Sequence, residues 1–143
     1  MDASVFTKDE VLARFAAGHN CAQSTLVPWA TGLGYDEEEL ERLGAAFGGG
    51  MHRGDTCGAV TGALMALGLA YGDDAEALSE KTAQFQAAFI ERFGSTLCRE
   101  LLGYDFSRPE EKEAARAAGV VPERCPGFVR GASELLLELM QDA

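Results

Sequence analysis

Residues 48–68 read GGGMHRGDTCGAVTGALMALG, and they surround one cysteine, Cys57, with many glycines. Each glycine inside a helix costs roughly 1 kcal/mol relative to alanine, so a helix that only fills a core should avoid them. The glycines before Cys57 predict a loop that presents backbone N–H groups and adopts positive φ angles. Gly58 and Gly62 lie one helical turn apart, and they predict a groove beside the cysteine that admits another helix or a bulky inorganic group.

The rest of the chain carries helix signals almost throughout, and no segment shows the period-two alternation of a strand. Residues suited to helix starts precede several predicted helices: Asn20, Asp36, Thr56, Asp73 or Asp74, Ser95 or Thr96, and Ser107 with Glu110 as a capping box. Cys125 and Pro126 open the last predicted helix, since proline is tolerated in a first turn. No linker or repeat interrupts the chain. We therefore expect one all-α domain over residues 1–143, a bundle of about six to eight helices.

The composition excludes several classes of partner. The net charge is −11 and the isoelectric point is near 4.5, so neither a nucleic acid nor an anionic lipid surface is an expected partner. The longest apolar run, over residues 63–71, is too short to cross a bilayer, so we expect no membrane insertion. The first residues, MDASVFTKDE, lack the pattern of a secretory signal. We expect a cytoplasmic protein, and a homodimer is compatible with the sequence.

The four cysteines are widely spaced, and no CxxC pair occurs among them. In a reducing compartment they are not expected to form permanent disulfides, which leaves buried thiols, metal ligands or redox groups. Each one lies at the predicted start of a helix, where unpaired N–H groups and the helix dipole favour thiolate over thiol. We interpret this as four thiolates that face a common point: Cys21, Cys57, Cys98 and Cys125.

Several of these stretches together resemble a known family. FGGGMHRGDTCGAVTGALMALG, the isolated Cys21, the helix of Cys98 and the final CPGFVRGASELLLEL resemble the four-cysteine family of putative redox-active proteins, with its C…CGAxxG…C…C pattern. The CGAxxG motif corresponds to residues 57–62. The resemblance covers nearly the whole chain, and it extends to a domain associated with an iron–sulfur centre in the split-Soret cytochromes.

The resemblance implies a redox role in which the four cysteines hold an iron–sulfur cluster, of two or four irons, or another metal. The protein would pass electrons to a partner protein that the sequence does not identify. Gly49, Gly50, Gly58 and Gly62 would then give access to the cluster and supply N–H donors. Two alternatives stay open: a thiol–disulfide oxidoreductase that uses the same cysteines, and an interaction module with structural zinc. The sequence indicates no catalytic residue beyond the redox cysteines, and it leaves open whether the protein is an enzyme.

Two histidines and an aspartate lie near the cysteines in sequence. His52 and Asp55 share the glycine-rich loop, and His19 precedes Cys21 by two residues. Because four thiolates already complete a tetrahedral set, we expect the two histidines to lie at the surface or beside the ligands and not among them, and the sequence leaves the role of Asp55 open.

Overall fold

A computed structural model describes residues 8–141, so most of MDASVFTKDE and both ends of the predicted 1–143 domain lie outside the described residues. Within that range the chain forms eight α-helices and one left-handed turn: α1 (Lys8–Ala16), α2 (Cys21–Gly32), α3 (Glu37–Gly44), the turn (Gly50–Gly54), α4 (Gly58–Tyr71), α5 (Ala75–Phe93), α6 (Cys98–Leu102), α7 (Pro109–Ala118) and α8 (Val120–Leu139). Residues 8–141 contain no sheet, and one isolated bridge joins Thr56 to Leu97. The predicted all-α class is confirmed.

Local sequence determines where three of the helices begin. Asn20, Asp36 and Asp74 each precede a helix, and each side chain accepts a hydrogen bond from the backbone N–H three residues later. These bonds satisfy donors that a helix start otherwise leaves unpaired. The three predicted caps are confirmed.

The predicted capping box of Ser107 with Glu110 is wrong. The residue before α7 is Arg108, and no side chain caps this helix. Ser107 instead folds back on Asp105, whose carboxylate accepts from the Ser107 backbone N–H at 2.9 Å. Serine commonly forms hydrogen bonds within a local turn instead of capping a helix, and it does so here.

The last helix begins earlier than predicted. α8 starts at Val120, so Pro126 lies inside the helix and Cys125 lies in its second turn rather than at its start. Gly119, with φ +70°, ends α7 and lets α8 follow directly. Pro122 occupies the first turn of α8, which is the position that tolerates proline.

The interior of the bundle is formed where α2, α4, α5 and α8 meet, and α1 packs on α2 and α8. α3 covers α2, whereas α6 and α7 lie against α8. The largest fully buried side chains are aromatic and aliphatic: Trp29, Phe85, Phe89, Leu26, Leu67 and Leu136. No helix within residues 8–141 has both the length and the apolar character that crossing a bilayer requires.

The two glycines that follow Cys57 bring α4 unusually close to α2. A Cβ atom on Gly58 would lie 2.8 Å from the Ala22 backbone nitrogen, and one on Gly62 would lie 2.6 Å from the Ala22 carbonyl oxygen. No real side chain tolerates such distances, so only glycine permits this packing. The groove predicted at these residues is therefore filled by another helix.

The turn between α3 and α4 contains consecutive left-handed residues. Gly49 and Gly50 have φ near +60°, and Met51 and His52 follow with φ +59° and +61°. Glycine adopts this conformation freely, whereas an L-residue with a Cβ atom pays a steric penalty of roughly 1–2 kcal/mol. Met51 and His52 are both exposed, so little packing compensates for that penalty.

We therefore expect His52→Gly to stabilise the protein by about 1 kcal/mol, which is a rise in Tm of about 3 °C for a chain of this size. The adjacent Arg53 is also exposed but has a right-handed φ, so Arg53→Gly is the matched control and should destabilise by roughly 0.5–1 kcal/mol. Thermal unfolding of both variants measures the difference. Equal effects of the two substitutions would contradict the assigned backbone conformation.

Candidate functional site

All four cysteines line one cavity of about 360 Å³, although they come from four different parts of the chain. Cys21 is the first residue of α2, Cys57 directly precedes α4, and Cys98 is the first residue of α6. Cys125 reaches the same cavity from the second turn of α8. Each cysteine is buried and none forms a disulfide. The fold thus brings together every cysteine that the sequence singled out.

A short backbone ladder fixes the positions of Cys57 and Cys98 relative to each other. The Cys57 N–H donates to the Thr96 carbonyl at 2.8 Å, and the Cys98 N–H donates to the Asp55 carbonyl at 2.7 Å. Arg99 adds a charged hydrogen bond to the Asp55 side chain at 3.1 Å. Two segments separated by about 40 residues are therefore held in one arrangement at the cavity wall.

Asn20 fixes Cys21 in a similar way. Its side chain and backbone exchange two hydrogen bonds with Gln23, each of 2.9 Å, which makes a full capping box at the start of α2. The Asn20 side-chain amide also donates to the carbonyls of Gly44 and Ala45, at 3.0 and 3.2 Å. Asn20 therefore ties the cysteine end of α2 to the end of α3.

Burial controls the protonation of two of the thiols. It raises the pKa of Cys57 to about 11, and the backbone N–H groups of Ala59 and Val60 lower that pKa only in part. Burial, together with the neighbouring sulfur charges, raises the pKa of Cys98 to about 12. The expectation of four thiolates at helix starts is therefore wrong for the metal-free protein, because desolvation outweighs the helix terminus here.

The other two cysteines behave as a pair. A hydrogen bond between their side chains and burial hold the pKa of Cys21 well above its ordinary value. The same hydrogen bond lowers the pKa of Cys125. One member is therefore a thiol donor and the other is the site where negative charge is stabilised. The cysteine with the lowered pKa is the one that does not lie at a helix start.

These shifts predict a loss of stability at high pH in the reduced, metal-free protein. Below pH 9 the Cys57 and Cys98 thiols are protonated in both the native and the unfolded state, so their titration does not change the free energy of unfolding there. Above pH 9 the unfolded chain releases thiol protons while Cys57 and Cys98 retain theirs up to about 11 and 12. The unfolded state is then favoured by up to about 1.4 kcal/mol per pH unit for each thiol.

Urea unfolding between pH 8 and pH 11 under anaerobic, reducing conditions measures this slope. Lysine and tyrosine also titrate in that range, so Cys57→Ser and Cys98→Ser serve as matched references in which one titrating thiol is absent. Each should show a shallower decline than the parent chain. Parallel curves for the parent and both variants would contradict the predicted shifts.

The predicted cofactor-binding glycines divide into two groups. Gly49, Gly50 and Gly58 line the cavity. Gly62 packs against Ala22 and Thr25 of α2 and is not among the residues that line it. Binding of a cofactor by any of these glycines stays a prediction, whereas their role in close packing is a feature of the fold.

The nearby polar residues take different positions. His19 lines the cavity, and its Nε2 atom lies 3.8 Å from the Glu41 carboxylate. His52 is exposed and is not among the lining residues. Asp55 accepts a hydrogen bond from the Cys98 N–H through its backbone carbonyl, and its side chain contacts Arg99. Of the three, His19 is the residue placed directly at the site.

The sequence did not lead us to predict the apolar wall of the cavity, although the helical spacing of part of it from the cysteines is a usable signal. Several wall residues lie three or four positions from a cysteine on the same helix, and therefore on the same face: Leu101, Leu102, Val121, Pro122 and Phe128. Phe15 and Phe106 complete the wall from α1 and from the segment after α6. Neither has a local relationship to a cysteine, so only the fold reveals them.

The spacing of the donors constrains what the site can hold. Within residues 8–141, no three His, Cys, Asp or Glu side chains lie close enough together to hold a single metal ion. A tetrahedral Zn²⁺ site needs its four ligand atoms about 2.3 Å from one ion when they are sulfurs. Four soft sulfur donors around one cavity nevertheless match the ligand chemistry of an iron–sulfur cluster, whose ligands are distributed over two or four iron atoms.

Comparison with known families agrees with the arrangement of the cysteines. The family described as "Putative redox-active protein (C_GCAxxG_C_C)" matches residues 19–139. The chain belongs to this family. All four cysteines of this family member lie within the matched range. The description writes the central motif with glycine before cysteine, whereas here the cysteine comes first, as Cys57-Gly58-Ala59. Searches of curated proteins and of solved structures gave no match.

Proposed function

We propose that this redox-family protein is an electron carrier whose four cysteines hold an iron–sulfur cluster. The observation that supports the proposal most directly is convergence: four buried cysteines from four separate elements line one cavity. Cysteines that served only as small apolar residues would have no reason to meet at one point. The set of ligands would be Cys21, Cys57, Cys98 and Cys125.

The surroundings of the sulfurs suit such a centre. When bound, an iron–sulfur cluster accepts and releases an electron. The chain itself would supply the ligands. It holds Cys21, Cys57 and Cys98 at helix starts and Cys125 in the second turn of α8, and the apolar wall would limit the access of water. The backbone N–H groups of Ala59 and Val60 already lower the pKa of the Cys57 thiol, and N–H groups that favour negative charge on a ligand sulfur also tune a reduction potential.

A structural zinc ion is the less favoured occupant. The described side chains include no trio of donors gathered around one point, so a single ion would require the cysteines to move together. A cluster spreads its ligands over several metal atoms and tolerates wider spacing. The donor set suits both groups, but a cluster does not require all four sulfurs to meet at a single ion.

A second candidate function has its own observation. Cys21 and Cys125 share a hydrogen bond, and the pair combines a protonated thiol with a group on which negative charge is favoured. Such a pair suits thiol–disulfide exchange. The Cys125 thiolate would attack a disulfide acceptor and release one thiol, and Cys21 would then attack Cys125 and release the second. The acceptor gains two electrons and two protons as the protein disulfide forms.

One set of variants separates the two functions. Protein prepared without oxygen is analysed for iron, acid-labile sulfide and visible charge-transfer absorption, and each cysteine is replaced by serine in turn. Under the cluster proposal, the parent chain binds iron and sulfide, and every one of the four variants binds much less. Ala114→Ser, on the exposed face of α7, is the control and should leave the iron content unchanged.

The thiol–disulfide alternative gives a different pattern. The metal-free protein would form a reversible Cys21–Cys125 disulfide, which mass spectrometry detects as a loss of two hydrogens. Only substitutions at Cys21 and Cys125 would prevent it, and Cys57→Ser and Cys98→Ser would still form the bond. Absence of iron and sulfide from anaerobic protein would reject the cluster proposal.

A further inference from the structure

The wall of the cysteine cavity lacks charged side chains. Aspartate, glutamate, lysine and arginine make up 24% of the chain, yet none of the described residues that line this cavity is of these types. His19 and Asn20 are the polar lining residues other than the cysteines. Because this cavity has no charged lining residue on a highly charged chain, we expect it to discriminate between molecules by their charge.

The lining is aromatic, and the size suits a small molecule. Phe15, Phe106 and Phe128 contribute rings from α1, from the segment after α6 and from α8. The volume of about 360 Å³ falls within the range of roughly 300–1,000 Å³ that small-molecule sites occupy. Aromatic rings favour the edge and face contacts of another ring.

The cavity reaches the surface of the described chain. Among its lining residues, Gly18 and Pro122 are exposed, and several of the others are half-buried. Gly18 follows α1 and Pro122 lies in the first turn of α8, so the opening lies where these two elements meet.

Two physical terms oppose an anion at this site. A charged group that leaves water for an apolar wall without a partner loses its hydration, which is costly. The chain also carries a net charge of −11, and its field repels anions from the whole surface. Neither term opposes an uncharged molecule.

We propose that the cysteine cavity binds a small uncharged aromatic molecule, which thereby reaches the four sulfurs, while anionic analogues are excluded. The inference rests on the proposed redox function only in taking the sulfurs as the reactive groups, since binding itself requires no cluster. It names the chemical class of the reactant that the redox site would meet.

Binding is tested with two fluorescent probes that differ in charge. N-phenyl-1-naphthylamine is uncharged, and 8-anilinonaphthalene-1-sulfonate has the same ring framework with an added sulfonate. The reduced, metal-free full chain is titrated with each probe at low salt and in about 0.5 M NaCl, which screens the field of the chain. We expect saturable binding of the uncharged probe, at least about tenfold tighter than the anionic one at both salt concentrations.

Variants locate the bound probe. Val121→Trp fills the cavity wall and should abolish saturable binding, whereas Leu43→Trp adds the same side chain at a site on α3 that is 63% exposed and should not. Pro122→Glu places a negative charge at the opening and should weaken binding about fivefold or more. Ala114→Glu, on the exposed face of α7, is its control and should leave binding unchanged.

Reaction with two aromatic disulfides tests access to the sulfurs. In each case a protein thiolate attacks one sulfur of the reagent, a mixed disulfide forms, and one aromatic thiol leaves. After correction for the rates with free cysteine, uncharged 4,4′-dithiodipyridine should react at least about tenfold faster than the dianionic 5,5′-dithiobis(2-nitrobenzoate) in about 0.5 M NaCl. Equal corrected rates would overturn the inference.

The outcomes distinguish this inference from the proposed function. Equal affinity for the two fluorescent probes, or binding that Val121→Trp leaves intact, would overturn the inference whatever the iron content proves to be. Selective binding in a protein that takes up no iron or sulfide would uphold the inference and reject the cluster. A protein that binds iron and sulfide but does not bind the uncharged probe selectively would uphold the cluster proposal and reject the inference.

Discussion

Gly58→Ala is expected to destabilise the protein by about 2 kcal/mol and to lower its iron and sulfide content. The added Cβ atom would lie 2.8 Å from the Ala22 backbone nitrogen and 2.9 Å from the Cys21 Cβ atom. Because one of these neighbours is backbone, α2 and α4 must move apart, and overpacking of this kind costs roughly 1–3 kcal/mol. The movement carries Cys21 away from Cys57, so the effect reaches the cavity directly.

The same helix offers a matched control. Gly68 also lies within α4, and a Cβ atom added there would meet nothing within 4 Å. Gly68→Ala should therefore stabilise the protein by up to about 1 kcal/mol through helix propensity alone and leave the metal content unchanged. Urea unfolding gives the free energy of each variant, and iron and sulfide analysis gives the occupancy. The packing argument fails if Gly58→Ala and Gly68→Ala shift stability in the same direction.

The positions of three helix starts were predictable because their causes are local. Asn20, Asp36 and Asp74 cap helices through bonds to residues three positions away, and sequence contains both partners of each bond. Ser107 shows the limit of this reasoning. Its hydroxyl and N–H found a partner in Asp105, which is also local, and the sequence alone did not decide between the two partners.

The prediction for α8 failed for a related reason. Pro122 and Pro126 both fit the first turn of a helix, and the sequence analysis placed the start at the second of them. Gly119 indicates the earlier start, because its left-handed conformation ends α7 and leaves no room for a loop. The additional turn brings Val121 into the cavity wall, so packing between helices supports the longer helix.

The state of the thiols could not be predicted from the sequence, although the convergence of the cysteines could be anticipated. Helix starts are local features, and they suggested thiolates. Burial depends on the whole fold, and it raises the pKa of Cys57 and Cys98 to about 11 and 12. The pairing of Cys21 with Cys125 joins residues of α2 and α8, which no local pattern links.

The glycines were recognised as unusual, but their main task differs from the one expected. The sequence suggested access for a cofactor and N–H donation. In the structure, Gly58 and Gly62 allow α4 to touch the backbone of α2, and Gly50 allows a backbone path that approaches Cys98. Each of these contacts brings a cysteine-bearing segment inward, so close packing of the backbone is the physical basis of the convergence.

Gly50→Ala should have the larger effect of the two substitutions, about 3 kcal/mol, because it combines two penalties. Its φ of +60° costs an L-residue roughly 1–2 kcal/mol. Its Cβ atom would also lie 2.5 Å from the Asp55 backbone nitrogen and 2.8 Å from the Cys98 Cβ atom. Asp55 accepts the hydrogen bond from the Cys98 N–H, so any shift there moves Cys98 and should lower the iron and sulfide content.

Gly119→Ala separates the two penalties. Gly119 has a similar φ of +70°, but a Cβ atom there would meet nothing within 4 Å, so its cost should be only the conformational one, about 1 kcal/mol. The difference between the two variants in urea unfolding then measures the collision at the Cys98 segment alone. If both variants lose the same stability, Gly50 is needed only for the left-handed conformation of the turn, and its close contact does not set the position of Cys98. If Gly50→Ala loses more, the close contact of the turn with Cys98 helps to set the position of that sulfur.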